Sequence, residues 1–267
     1  MVLGICPLFS GSTGNATLVA AAGTRLLVDA GVSASRLGEA LQGLGLAPDE
    51  LDGVLITHEH IDHIRGVGVM ARKYGVPVFA NAPTWQAMLR GGKLGEIPAR
   101  CQVVFNSNQD FYIGRVNVAS CITPHDAAQP VSFAFTAAGR KLVLMTDIGH
   151  MSRSLIDHME GADILMLESN HDLAMLRQNS RYPAYLKSRI MSRHGHLSNE
   201  TAAKTLGYLA GQGIRHLILA HLSAENNTPS LALETVAAAM EESGLTMGRD
   251  VVVRVAAPDR PGDMWAV

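Results

Sequence analysis

Thr57-His58-Glu59-His60-Ile61-Asp62-His63 places three imidazoles and two carboxylates in seven residues, directly after the apolar run Gly53-Val54-Leu55-Ile56. That run reads as a short buried strand over Gly53–Thr57. With the chain still extended at His58 and His60, both side chains point to one face, because side chains alternate with a period of two. Asp62 and His63 follow one short turn later at a helix start and offer a second pair of ligands. Imidazoles joined by a hard carboxylate suit Zn, Mn or Fe better than Ca or Mg. A lone histidine is commonly a core or surface residue. Three histidines and an aspartate within six residues, beyond a buried strand, read as a metal-binding segment.

The rest of the chain repeats the theme of a strand running into an ionisable residue. Strands are expected at Ala16–Ala20, Arg25–Asp29, Gly53–Thr57, Val76–Ala80, Val116–Thr123, Val131–Thr136, Lys141–Thr146, Asp163–Glu168, His216–Ala220 and Val251–Val255. Helices are expected at Ser35–Leu44, Val67–Tyr74, Thr84–Leu89, Arg153–His158, Pro183–Ser192, Asn199–Ala210 and Ser230–Glu242. Before Asn199, Ser198 is an N-cap, and Ala202, Leu206 and Leu209 fall on one helical face. Two strands in the first 35 residues join through a hairpin at Ala22–Gly23–Thr24. The alternation of strands and helices is that of an α/β fold, and no linker or repeat divides residues 1–267, so one domain is expected. Strand ends lead into His58, His125, Asp147, Glu168 and His221. Ligand sites of α/β sheets lie beyond the carboxyl ends of strands, so these residues are expected to share a site.

Composition sets outer limits. Of 267 residues, 47% are hydrophobic and 17% charged, too apolar and too weakly charged for a disordered chain. The net charge of −2 argues against a broadly cationic coat for nucleic acid. Cys6, Cys101 and Cys121 are odd in number and far apart, which favours reduced thiols over a disulfide framework. The N-terminus has no charged, apolar leader pattern, and no run approaches the ~20 apolar residues of a membrane span. A cytoplasmic protein without a membrane partner is the expectation.

The pattern His-x-His-x-Asp-His, followed by a distant His, an Asp and a final His at strand ends, resembles the metallo-β-lactamase fold superfamily. The resemblance implies an αβ/βα four-layer sandwich, two mixed β-sheets flanked by helices, with a two-metal site at one edge. Carried over, His58, His60 and His125 would hold one divalent metal, Asp62, His63 and His221 the other, with Asp147 bridging. Zn and Mn fit such a pair, and Fe is the third option. Position 60 is His where the di-iron redox branch has Glu, which favours hydrolysis over electron transfer. The bridging residue is Asp rather than Cys and no leader is apparent, which argues against a secreted β-lactamase.

Two further segments bear on the substrate. His194-Gly195-His196-Leu197-Ser198-Asn199 opens a helix, where free backbone N–H groups suit a phosphoryl oxygen and an imidazole can protonate a leaving alkoxide. This motif is similar to the His-Leu-Ser/Thr loop of phosphodiesterase members of the superfamily. Residues 173–199 contain no acid but carry Arg177, Arg181, Lys187, Arg189 and Arg193, with Tyr182 and Tyr185 among them, as a phosphate track requires. Ser198, Asn199, Asn170, His171, Arg189 and Arg193 are therefore the expected substrate-side residues.

Together with Ser10-Gly11-Ser12-Thr13-Gly14-Asn15-Ala16 and Glu168-Ser169-Asn170-His171-Asp172, these segments resemble the YycJ (WalJ)-like subgroup over nearly the whole chain. The resemblance implies a metal-dependent 5′-to-3′ exonuclease, with DNA favoured as substrate, in which Asp62 activates the attacking water and His196 protonates or contacts the leaving oxygen. Asp147 and His221 stand 74 positions apart, too close for the inserted domain of the larger RNA-processing relatives. The rival enzyme reading is a thioester or lactone hydrolase on the same metals. A rival of another class is a binding or regulatory protein with a vestigial site. Homo-oligomerisation is compatible with either reading.

Overall fold

The structure, a computed structural model, describes residues 2–267. It divides into two compact units, one running to Ile122 and including Ala127–Arg140 and Ala257–Val267, the other formed by Thr123–Asp126 and Lys141–Ala256. In class the fold is α/β, with two mixed β-sheets flanked by helices.

In the first unit, strands β1 (Leu3–Phe9), β2 (Ala16–Ala21) and β3 (Thr24–Val28) are antiparallel, and β4 (Gly53–Leu55), β5 (Val78–Asn81) and β6 (Gln102–Phe105) continue the sheet in parallel. The C-terminal strand Trp265–Ala266 closes the other edge against β1. The predicted hairpin is present: Ala22 and Gly23 have φ of 54° and 86°, the doubly positive pattern whose twist matches the flanking strands. Parallel strands need crossovers, supplied by α1 (Ala34–Gly43), the four-residue α2 (Ile61–Ile64), α3 (Val67–Tyr74) and α4 (Ala82–Arg90). Ser33 caps α1 by accepting from Arg36 N–H, and Leu37 and Leu41, one turn apart, bury its inner face. These pack with Leu8, Leu18, Leu27, Val54, Ile56 and Val78 in one core. An antiparallel meander, β7 (Asp110–Ile113), β8 (Val116–Ile122) and β9 (Val131–Ala137), completes the unit.

The second unit is built on four parallel strands in the order β10 (Arg140–Met145), β11 (Ile164–Glu168), β12 (His216–Ala220) and β13 (Val252–Val255). Every residue of β11 is buried, in keeping with its nearly continuous apolar run. The helices are α5 (Arg153–Met159), α6 (Leu173–Gln178), α7 (Ala184–Ile190), α8 (Asn199–Gly211) and α9 (Pro229–Glu242). Ser198 caps α8, and Ala202, Leu206 and Leu209 are buried as their spacing predicts.

Sequence reading misses β1, β6, β7, the C-terminal strand and α6. Strand β1 carries Gly4 and Pro7, residues that weaken the strand signal, yet all seven of its residues are buried. Strands β6 and β7 are four residues long with alternate residues exposed, too little apolar surface to mark them. Among the described residues no helix is long and apolar enough to cross a membrane.

Candidate metal centre

The regular strand stops at Leu55, two residues earlier than expected, and Ile56 and Thr57 carry the chain to His58. His58 is fully buried and its Nε2 lies 3.0 Å from Nδ1 of His60, which has extended backbone at the start of α2. The rings of His58 and His63 are 4.1 Å apart between centroids, and His63 Nε2 stands 3.7 Å from an Asp62 oxygen. Thus the first unit brings His58, His60, Asp62 and His63 together. Glu59 points elsewhere: its Oε1 accepts from Ala128 N–H at 2.8 Å, in the loop before Val131.

Asp29, at the end of β3, organises this cluster. Its Oδ2 accepts from His63 Nδ1 at 2.7 Å and from the Thr57 hydroxyl at 2.8 Å, while Oδ1 accepts from Thr57 N–H at 2.8 Å. Burial pushes the Asp29 carboxyl up, and His63 and Thr57 oppose that shift. With its proton given to Asp29, the Thr57 oxygen accepts from His58 Nδ1 at 3.0 Å. Both imidazoles are thereby set to present Nε2, the arrangement expected of histidine ligands. Gly31 permits the close approach that holds the segment. A Cβ there would lie 1.7 Å from the Asp62 carbonyl oxygen, which accepts from Asn15 N–H. The Asn15 amide nitrogen reaches His63 Nε2 at 3.1 Å, so the Gly/Ser-rich Ser10–Ala16 segment does approach the histidines.

In the second unit, His125 donates from Nδ1 to the Gly195 carbonyl at 3.0 Å, and its Nε2 lies 3.8 Å from Asp147. Burial lowers the His125 pKa and favours the neutral ring that a ligand needs. Asp147, after β10, and His221, after β12, have φ of 59° and 55° and are almost wholly buried. Asp29 has the same left-handed conformation at 61°. Non-glycine residues rarely adopt it, and such strain is held by the surrounding structure at functional positions.

Glu168 ends β11 and is inaccessible to solvent. Its Oε1 accepts from His196 Nδ1 at 2.7 Å and His221 Nδ1 at 2.9 Å, and its Oε2 accepts from Ile148 and Leu197 N–H at 2.8 and 3.2 Å. Burial opposes the charge of Glu168, but His196 and His221 outweigh it and hold the carboxyl well below the usual range. In return, although burial works against the imidazolium, the Glu168 charge raises the His196 pKa. His196 keeps 22% of its side chain exposed, His221 only 3%. The first can therefore meet a substrate and the second cannot. Ligand atoms of Asp147, Glu168, His196 and His221 lie within 4.8 Å of one another.

The expected substrate-side residues divide by placement. Ser198 caps α8 by accepting from Thr201 N–H, and Asn199 is buried, bonded to Ser169 and Asn227. Asn170 donates to the His221 carbonyl at 2.8 Å. The His171 carbonyl accepts from Asn199 N–H, and burial pushes its imidazole pKa down to about 4. These four form a frame around the ligand loops. Asn227, unmarked in the sequence, ties it together by donating to the Ser169 and Asn170 carbonyls at 2.8 and 3.1 Å. Arg189 and Arg193 are on the surface: Arg189 pairs with Asp126, and Arg193 contacts His150 Nε2 at 3.0 Å. Asp29 escaped the sequence reading although it ends a strand, as the marked residues do; the same rule would have found it.

The donor set fits a transition metal, since nitrogens and carboxylate oxygens gather while the remote imidazole nitrogens of His63, His125 and His221 are tied to oxygen acceptors. Comparison with known proteins agrees. The β-lactamase superfamily domain matches residues 24–222. Exodeoxyribonuclease YycJ of Bacillus anthracis is 40% identical over 254 residues, covering 95% of this chain and 95% of that protein. Exodeoxyribonuclease WalJ of Streptococcus pneumoniae serotype 2 is 39% identical over 252 residues, 94% of this chain and 93% of that protein. The metallo-β-lactamase fold protein YhfI from Bacillus subtilis superposes with a TM-score of 0.73 over the full length of both chains, at 17% identity. With its domain match, its fold and its full-length relatives in agreement, the chain belongs to the metallo-β-lactamase hydrolase family, in the YycJ and WalJ group.

Proposed function

We propose that the chain is a two-metal phosphodiesterase that degrades DNA in the cytoplasm as a 5′-to-3′ exonuclease. The observation that carries this reading is the part-exposed His196 held on the buried Glu168, a proton donor fixed beside a ligand cluster. Near-full-length similarity to two proteins named exodeoxyribonucleases supports the substrate class.

In this reading His58, His60 and His125 would hold one metal and Asp62, His63 and His221 the other, with Asp147 as a further ligand. Bound Zn or Mn would supply Lewis-acid polarisation of the phosphoryl group and neutralise its charge. Asp62, the most exposed carboxylate of the first cluster with 23% of its side chain accessible, orients the attacking water and takes its proton. Glu168 holds His196 by Nδ1 and raises its pKa, which favours the protonated ring that the leaving oxygen requires. Ser198, Asn199, Asn170 and His171 keep the loops of His196 and His221 in place, while Arg189 and Arg193 face the phosphate backbone.

The test is digestion of 5′- and 3′-labelled single- and double-stranded DNA with Mn²⁺ or Zn²⁺. Release of nucleotides from the 5′ end is expected. Intact DNA alongside turnover of thioesters would replace this reading with a small-substrate hydrolase. His196→Ala is expected to slow phosphodiester cleavage by about 100-fold or more with metal content unchanged, and unaltered turnover would remove His196 from the chemistry.

A further inference from the structure

Helix α7 has no fully buried residue; Leu186 and Ile190 are half-buried, so it adds little to the core. It is fastened by polar contacts instead. Arg181, just before it, pairs with Glu225, and Arg189, in its last turn, pairs with Asp126. Its last carbonyl, of Ile190, accepts from His196 N–H at 2.9 Å. The helix thus sits against the loop that carries the proposed proton donor, within the same unit. Arg177, Lys187 and Arg193 face no carboxylate at ion-pair distance among the described residues, so a net positive charge remains along this surface.

Tyr185 stands in this field with 76% of its surface exposed. It lies four residues before Arg189, on the same helical face. A rise of 1.5 Å per residue puts it about 7.5 Å along the helix from Ile190. A tyrosine so exposed adds nothing to packing, but its ring is a flat apolar surface on a helix that also carries Lys187, close in sequence to Arg177 and Arg193, cations that attract phosphates. Unpaired bases stack on such rings whatever their sequence, and paired bases within a duplex cannot.

We propose that Tyr185 is a stacking platform for an unpaired base, giving single-stranded DNA ends preference over blunt duplex ends. The proposal rests on the nuclease reading of the site. The test uses metal-loaded protein, a fluorescent phosphorothioate oligothymidylate for binding, and ordinary single-stranded and blunt duplex DNA for cleavage. Tyr185→Ala is expected to weaken oligonucleotide binding by about 5- to 100-fold and to reduce the single-strand preference by a similar factor. Tyr185→Phe and Tyr185→Trp restore both, which a merely structural loss would not predict. Wild-type affinity in Tyr185→Ala, or failure of both aromatic variants to rescue it, overturns the proposal. If the wild type binds the oligonucleotide tyrosine-dependently but degrades no DNA, the nuclease reading fails and the stacking role stands. If it degrades DNA and Tyr185→Ala matches it, the stacking role alone fails.

Discussion

In the first unit the site residues His58, His60, Asp62 and His63 lie within six consecutive residues, whereas in the second His125, Asp147, Glu168, His196 and His221 come from five separate segments. The contiguous cluster takes its spacing from the backbone itself, an extended pair followed by a helix start, and needs one neighbouring carboxylate, Asp29, to orient its rings. The dispersed set has no covalent spacing to rely on. It depends on parallel strands ending at one level, on left-handed turns at Asp147 and His221, and on Glu168 joining two imidazoles. A site assembled from distant segments should therefore be more sensitive to loss of its organising carboxylate than one written in a single segment.

The strongest test removes Glu168. Glu168→Ala leaves His196, His221 and two N–H groups without their common acceptor inside the core, and about 3–5 kcal/mol of stability should be lost in urea unfolding. The matching test in the contiguous cluster is a milder, near-isosteric substitution. Asp29→Asn keeps an acceptor for Thr57 but loses the charge that steadies His63, so metal affinity should fall by about 10- to 100-fold with a lesser change in stability. Metal titration and urea unfolding of both variants decide the comparison. Equal destabilisation by the two would show that contiguity confers no robustness.

A separate effect, absent at neutral pH, concerns acid and lies away from either cluster. Burial, helped by Lys141, lowers the pKa of His158 to about 4. The unfolded chain then binds a proton that the folded chain resists, so the stability tied to this residue is whole above pH ~6.5 and declines between that value and pH ~4. His158→Gln should flatten the loss of stability over that interval, measured as Tm against pH. An unchanged slope would place the acid sensitivity elsewhere in the unit.

What could be read in advance follows the same division. Thr57–His63 declares its chemistry because ligand spacing and secondary structure come from neighbouring residues. His125, Asp147 and His221 were legible as polar residues at the ends of apolar strands, a pattern one strand-length long. The role of Glu168 was not, although its place at a strand end was, because its partners His196 and His221 lie 28 and 53 positions away. Asn170, His171 and Asn199 show the opposite case. Their polarity marks them as substrate contacts, yet all three are buried, with the Asn170 side chain on the His221 carbonyl, the Asn199 side chain on Asn227 and the His171 carbonyl on Asn199 N–H.

The basic stretch behaves likewise. Sequence counts five cations without an acid between residues 173 and 199, but Asp126 and Glu225, outside that interval, pair with two of them. By itself, then, the sequence determined the α/β class, the strand-end rule and the clustering of metal-ligand types at His58–His63, because hydrophobic period and ligand spacing act over a few residues. Only the tertiary structure decided which carboxylate orients His196, which asparagines serve as frame and which cations are paired with a carboxylate. Those outcomes are set by desolvation and hydrogen-bond geometry among groups that meet only once the parallel strands align.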